Sequence, residues 1–151
     1  MKISSAKEMQ DYACNFARQL QAPAVIELIG DVGVGKSTFV QGLARGLGVV
    51  EPVTSPSFTL SKQYQGNSCR LVHYDFYRLS QPGIMSDDLA ENLADPQTIN
   101  VIEWGESIQD LLPRSRHRIQ ISYQADGGRE LLHQVLWKCI SIVQLINWFS
   151  Y

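Results

Sequence analysis

The residues best suited to chemistry stand close together in the run GDVGVGKST, residues 30–38. Gly30, Gly35, Lys36 and Ser37 satisfy the spacing G-x-x-x-x-G-K-[ST]. From average residue frequencies, a chance match in a chain this long is on the order of one in a few hundred. The pattern predicts a loop wrapped around phosphates. Its glycines let the backbone fold tightly enough to aim successive N–H groups at a polyphosphate. A helix starting at its end adds the positive pole of its dipole. Lys36 supplies a point charge for the β- and γ-phosphates, and the Ser37 hydroxyl is a magnesium ligand. A plain glycine turn before a helix accounts for Gly30 and Gly35. It does not account for a lysine followed by a hydroxyl at these places. ATP is favoured over GTP, because no N-K-x-D segment of the kind that reads guanine is present.

Such a site also needs an acid, normally at the end of an apolar strand, to hold magnesium. Two positions qualify. NVIEWGE is the best apolar strand ending in an acid, and it delivers Glu103 with Trp104 beside it. LVHYDFYRL carries Asp75 behind Leu71 and Val72. Both stand where a strand could present a carboxylate at its end, the usual ligand edge of such sheets. Either could position the attacking water. His73, Tyr74, Phe76 and Tyr77 read as strand packing and are assigned no chemistry, and no arginine finger is evident within the motifs.

The elements that must position these groups follow from periodicity. Residues 5–20 predict a helix with Met9, Ala13, Phe16, Ala17 and Leu20 along one stripe, and AVIELI (24–29) a buried strand. STFVQGLARGLG predicts a helix whose end is marked by Gly46 and Gly48. SFTLSKQY and CRLVHYDFY flank QGNS as a hairpin, and HRIQISYQ and RELLHQVL flank ADGG as a second. LAENLA reads as a short helix and INVIEW as another buried strand. Helices mixed with strands in this way predict an α/β sheet protein.

At 151 residues the chain is about one domain with a single sizeable core. A formal net charge of -2 gives no global attraction to nucleic acid or anionic membrane, which leaves only a local patch such as RSRHR. PRSRHR (113–118) reads as a basic lid or, more simply, as a solvated loop before a strand. The three cysteines, Cys14, Cys69 and Cys139, are scattered, so neither a zinc site nor a disulfide framework is signalled. Buried thiols in a reducing cytoplasm are the expectation. The N-terminus lacks the unbroken apolar core of a signal peptide. The tail, about 136–151, is apolar, but Lys138 and Asn147 interrupt it and it is short for a span. Leu136, Ile140, Val143 and Ile146 recur at helical spacing, which predicts a packed amphipathic helix and no membrane contact.

Taken in order, GDVGVGKST, VTSPSFTL, HYDFYRL and VIEWGE resemble the TsaE (YjeE) family of small bacterial ATPases, over about residues 4–135. These act in making threonylcarbamoyladenosine next to the anticodon of tRNAs. The resemblance implies a three-layer P-loop fold, with hairpin additions, that hydrolyses ATP with Mg2+. It also implies partnership with the TsaB–TsaD heterodimer, which performs the transfer itself. The ATPase resets that complex between rounds and meets tRNA only through it. Residue by residue, the resemblance implies that Gly33, Val34, Gly35, Lys36, Ser37 and Thr38 hold the phosphates, and that Ser37 and Glu103 hold magnesium. Asp75 is then a candidate for orienting or activating water. SPSFTL (55–60) becomes a switch-like loop in which Ser57 and Thr59 sense the γ-phosphate, and Arg129 stands near the adenine. The chain departs from the family in three places. Ser37 replaces the commoner threonine, ADGGRE carries one more glycine than usual, and the tail matches nothing in the family. Two other readings share the loop. A P-loop small-molecule kinase would need a substrate-binding insertion for which little chain remains, and a nucleotide-gated binding module would hydrolyse ATP only incidentally.

Overall fold

The computed structural model describes residues 1–56, 59–77 and 85–137. In chain order its elements are β1 (Lys2–Ile3), α1 (Ala6–Ala17), β2 (Ala24–Ile29), α2 (Lys36–Gly46), β3 (Ser61–Gln65) and β4 (Arg70–Asp75). There follow α3 (Ser86–Ala94), β5 (Thr98–Glu103), a 3-10 turn (Gly105–Ile108), β6 (Arg116–Tyr123) and β7 (Arg129–Leu136). Among the described residues seven strands form one sheet in the order β1-β7-β6-β2-β5-β4-β3. Its centre, β6-β2-β5-β4, is parallel, while β3, β7 and β1 add antiparallel edges.

Strand side chains alternate between faces, and the two faces carry separate cores. Ile26, Leu28, Leu71, Ile99, Val101, Ile119 and Ile121 pack under α1 and α2 with Met9, Ala13, Phe39, Val40 and Leu43. Val25, Val72, Tyr74 and Ile102 face the other way, against Leu89 of α3, Ile108 and Leu112. The result is a three-layer α/β protein of the P-loop NTPase-like kind, with both hairpins formed as expected.

Each flanking helix has a local cause. Ser5 caps α1: its Oγ accepts from the Glu8 N–H at 3.1 Å, while Glu8 accepts from the Ser4 N–H at 2.7 Å. This is close to a capping box. Gly42 and Gly46 let α2 lie against α1. A Cβ on Gly42 would strike the Gln10 carbonyl oxygen and stand 2.6 Å from its Cα.

Gly46 ends α2 as expected and also permits close approach, since a Cβ there would sit 2.6 Å from the Ala17 Cβ. The turn falls at Gly48, with φ +81. Other sequence expectations are corrected by the structure. Thr59 and Leu60 are not in β3: both N–H groups donate to Pro56 O at 2.8 Å, and Leu60 has φ 64. Trp104 leaves the strand with φ 58. Leu136 starts no helix but ends β7, opposite Arg116. The remaining tail positions, Ile140, Val143 and Ile146, lie outside the described residues. Strand β1 had no sequence signal, since two residues show no period. Among the described residues no helix is long and apolar enough to cross a membrane.

PRSRHR is not a lid. Arg116 and Arg118 lie on β6, and their Nε groups donate to Glu27 Oε2 of the neighbouring β2 at 2.8 and 3.1 Å. Glu27 is 2% exposed and also accepts from Gln109. Burial pushes its carboxyl pKa up, and the bonds from Arg116, Gln109 and Arg118 outweigh that to leave it below its ordinary value.

Candidate functional site

Between β2 and α2 the chain turns through the glycine loop, and Gly35 caps α2 with φ 118, a conformation that glycine alone adopts readily. The first N–H groups of a helix have no partner within it, so the start of α2 beside this loop is suited to an anion. Lys36, 6% exposed, donates to Gly30 O at 2.7 Å and Asp31 O at 3.0 Å. Its Nζ lies 3.8 Å from Glu103 Oε2 and 4.5 Å from the centroid of the Trp104 ring.

The two expected acids come together because parallel strands run in register. Asp75 ends β4, Glu103 ends β5, and the two are paired residues. Both share the strand parity of Leu71 and Val101, so they face the α2 side, at the edge where the loop begins. Asp75 and Glu103, 5% and 3% exposed, line one wall of a cleft with Ser55 and Trp104. Gly35, Lys36, Ser37 and Thr38 line the other. The Asp75 carboxylate accepts from the Tyr77 N–H at 3.0 Å and from Ser55 Oγ at 3.2 Å. It therefore ties the turn after β4 to the loop that follows α2. Glu103 accepts at Oε1 from His73 Nε2 at 2.8 Å.

A second lobe opens on the far side of the loop, sharing Gly33, Gly35 and Thr38 with the first. Ser5 and Met9 at the start of α1, Val34 and Arg129 line it. Arg129 donates from Nε to Val34 O at 3.0 Å and from Nη1 to Gly127 O at 2.8 Å, and its guanidinium lies 4.4 Å from the Tyr123 ring centroid. Arg129 thus braces the phosphate loop from β7. Thr59 is not brought to the cleft: it is exposed, and its hydroxyl donates to Ser61 O at 3.1 Å. Ser57 lies outside the described residues.

Three residues of the site escaped the sequence reading. Ser55 stands in the cleft from the same loop as Ser57 and Thr59. Trp104 was noted only as a neighbour. Its left-handed backbone, a conformation that typically costs about 1–3 kcal/mol outside glycine, turns its ring over Lys36 and against Tyr77. His73 was set aside as packing, yet the period of two that puts Asp75 in the cleft puts His73 on the same face.

The donors fit magnesium. Ser37, Asp75 and Glu103 offer hydroxyl and carboxylate oxygens, the hard ligands this ion prefers. Among the described residues no group of three or more His, Cys, Asp or Glu could hold a metal alone. That suits an ion which takes one or two carboxylates and completes its shell with phosphates and water.

Known proteins resemble this chain in sequence and in fold. A family model described as threonylcarbamoyl adenosine biosynthesis protein TsaE matches residues 3–131. A tRNA threonylcarbamoyladenosine biosynthesis protein TsaE from Treponema pallidum is 38% identical over 127 residues, which is 84% of this chain and 93% of that protein. One from Streptomyces coelicolor is 36% identical over 128 residues, 83% of this chain and 86% of that protein. The crystal structure of YdiB from Bacillus subtilis superposes with a TM-score of 0.76 at 28% identity, covering 91% of this chain and 84% of that one.

Proposed function

Because the chain belongs to the TsaE family of tRNA threonylcarbamoyladenosine biosynthesis proteins, we propose that it is a cytoplasmic, magnesium-dependent ATPase that supports the TsaB–TsaD heterodimer in that modification. One observation carries this reading. Two buried acids in register, Asp75 and Glu103, face a glycine loop that presents Lys36 and Ser37.

The main-chain N–H groups from Gly33 to Thr38 take the phosphates, and Lys36 exchanges its bonds to Gly30 O and Asp31 O for phosphate oxygens. Ser37 and Glu103 would hold magnesium, which would supply neutralisation of the charge that develops on the phosphates. Asp75 orients the attacking water, whose oxygen bonds to the γ-phosphorus as the bond to the bridging oxygen of ADP breaks. Water loses a proton to solvent or to the carboxylate. Arg129 holds Val34 and with it the loop, and the lobe beside it takes the nucleoside end.

No described arginine stands in the phosphate cleft, so completion of the site by TsaB–TsaD is the natural source of turnover, as in GTPases activated in trans. Transfer RNA reaches the protein only through that complex. The net charge is -2, and Arg116 and Arg118 are engaged by Glu27.

ATP hydrolysis with Mg2+, measured alone and with saturating TsaB–TsaD, tests this reading. Turnover rises on adding the heterodimer; an unchanged rate overturns the partnership. Lys36→Ala weakens ATP binding roughly 10- to 100-fold, the equivalent of about 1.5–3 kcal/mol for a charge-assisted bond. Parental affinity in that variant would show that the loop does not hold phosphates.

A further inference from the structure

His73 is fully buried in the middle of β4, opposite Val101 and diagonal to Glu103. Its Nε2 stands 2.8 Å from Glu103 Oε1. An ionised carboxylate only accepts, so Nε2 is the donor in this bond. Among the described residues the ring's buried Nδ1 has no hydrogen-bond partner. A side chain present only to fill space would carry no such cost. Leucine would bring no unsatisfied nitrogen of its own, but it would leave the buried Glu103 Oε1 without this donor. The position tolerates an orphaned nitrogen on one side of the ring and makes a short bond to a buried carboxylate on the other.

The bond makes the two Glu103 oxygens unequal. Oε1 is held by His73, while Oε2 is the oxygen turned toward the loop, 3.8 Å from Lys36 Nζ. We propose that His73 is a positioning residue that anchors Oε1 and thereby presents Oε2 of Glu103 as a fixed, single-oxygen ligand for the nucleotide-bound cation. This rests on Glu103 being a magnesium ligand. Partners that orient a ligating side chain act on metal affinity with little effect on contacts elsewhere. His73 touches neither the loop amides nor Lys36 in any contact described, so nucleotide binding without metal is independent of it.

The test uses the full chain with a nonhydrolysable ATP analogue and Mn2+, whose free fraction is read from its EPR signal. His73→Leu and Glu103→Gln each weaken Mn2+ binding to the protein–nucleotide complex by about 10- to 100-fold, the range for lost partners of metal ligands. Analogue affinity in EDTA stays at the parental value. His73→Gln can place an amide nitrogen where Nε2 stood and retains Mn2+ affinity within a few-fold. His73→Asn, one methylene shorter, falls with His73→Leu. The Gln and Asn variants decide the matter if His73→Leu fails to fold. Parental Mn2+ affinity in His73→Leu, or equal affinities in the Gln and Asn variants, overturns the role of His73 while Glu103→Gln remains impaired. Parental affinity in Glu103→Gln overturns the metal assignment of Glu103, and the inference with it.

Discussion

Replacing Gly42 with alanine separates helix propensity from helix packing. Taken alone, α2 gains from the change by up to about 1 kcal/mol, because alanine loses less backbone freedom on folding. The structure opposes that gain. The new Cβ would meet the Gln10 carbonyl oxygen and stand 2.6 Å from the Gln10 Cα and 2.8 Å from its carbonyl carbon. Carbon atoms pack best about an ångström farther apart. The obstacle is backbone, which cannot rotate aside as a side chain can. Helix α1 must therefore withdraw, loosening Met9, Ala13 and Ala17 against the sheet. Overpacking of this kind costs about 1–3 kcal/mol, and a backbone obstacle places it at the upper end. After the propensity gain, a net loss of about 2 kcal/mol remains, or about 4–8 °C in melting temperature for a chain of this size. Urea unfolding at constant m-value measures it. Gly127→Ala is the control: φ there is +84 and no atom of the described residues lies within 4 Å of the new Cβ, so only left-handed strain of about 1–2 kcal/mol applies. A Gly42→Ala protein as stable as its parent would refute the close crossing of α1 and α2.

The buried Glu27 makes stability depend on acid. Its folded pKa lies below the ordinary 4.5, so its contribution is complete above pH 4.5 and fades as pH falls through the lower folded value. Glu27→Gln leaves Arg116 and Arg118 without their counter-charge. It costs about 3 kcal/mol at neutral pH, the low end for a broken buried pair because Arg118 is partly exposed. Urea midpoints for the two proteins converge in acid, and a gap independent of pH would contradict the reasoning. A second window belongs to His117 and His133, whose ring nitrogens stand 3.1 Å apart. Burial lowers both pKa values below 6.5, and the charge on His133 lowers that of His117 further. The unfolded chain therefore takes up protons first, and stability falls as pH drops below 6.5. Replacing both with glutamine flattens the profile just below pH 6.5, and an unchanged slope there would remove the pair as its cause.

What could be read from the sequence was what short stretches determine. GDVGVGKST is a local device, with strand, turn and helix start in consecutive residues. AVIELI and both hairpins announce themselves by neighbouring residue types. Asp75 and Glu103 were legible because each ends an apolar run. Their registered pairing was not, since it depends on β4 and β5 becoming parallel neighbours about thirty residues apart in sequence. The same holds for His73, whose meaning lies in a partner on another strand, and for Glu27, whose charge inside AVIELI makes sense only beside Arg116 and Arg118 of β6. Gly42 and Gly46 resemble helix punctuation until α1 is seen against them. Strand β1 is too short to show any period and exists because β7 offers it an edge.

The placement of β1 and β7 has a consequence for synthesis on the ribosome. The glycine loop emerges early, but Val34 is held by Arg129, 95 residues later in the chain. Arg129 is itself steadied by its pairing with Ile3. A growing polypeptide thus displays the phosphate-binding motif long before the brace that shapes it has been translated. Only when the last hairpin has left the exit tunnel and closed beside the first residues can the nucleotide grip take its final form.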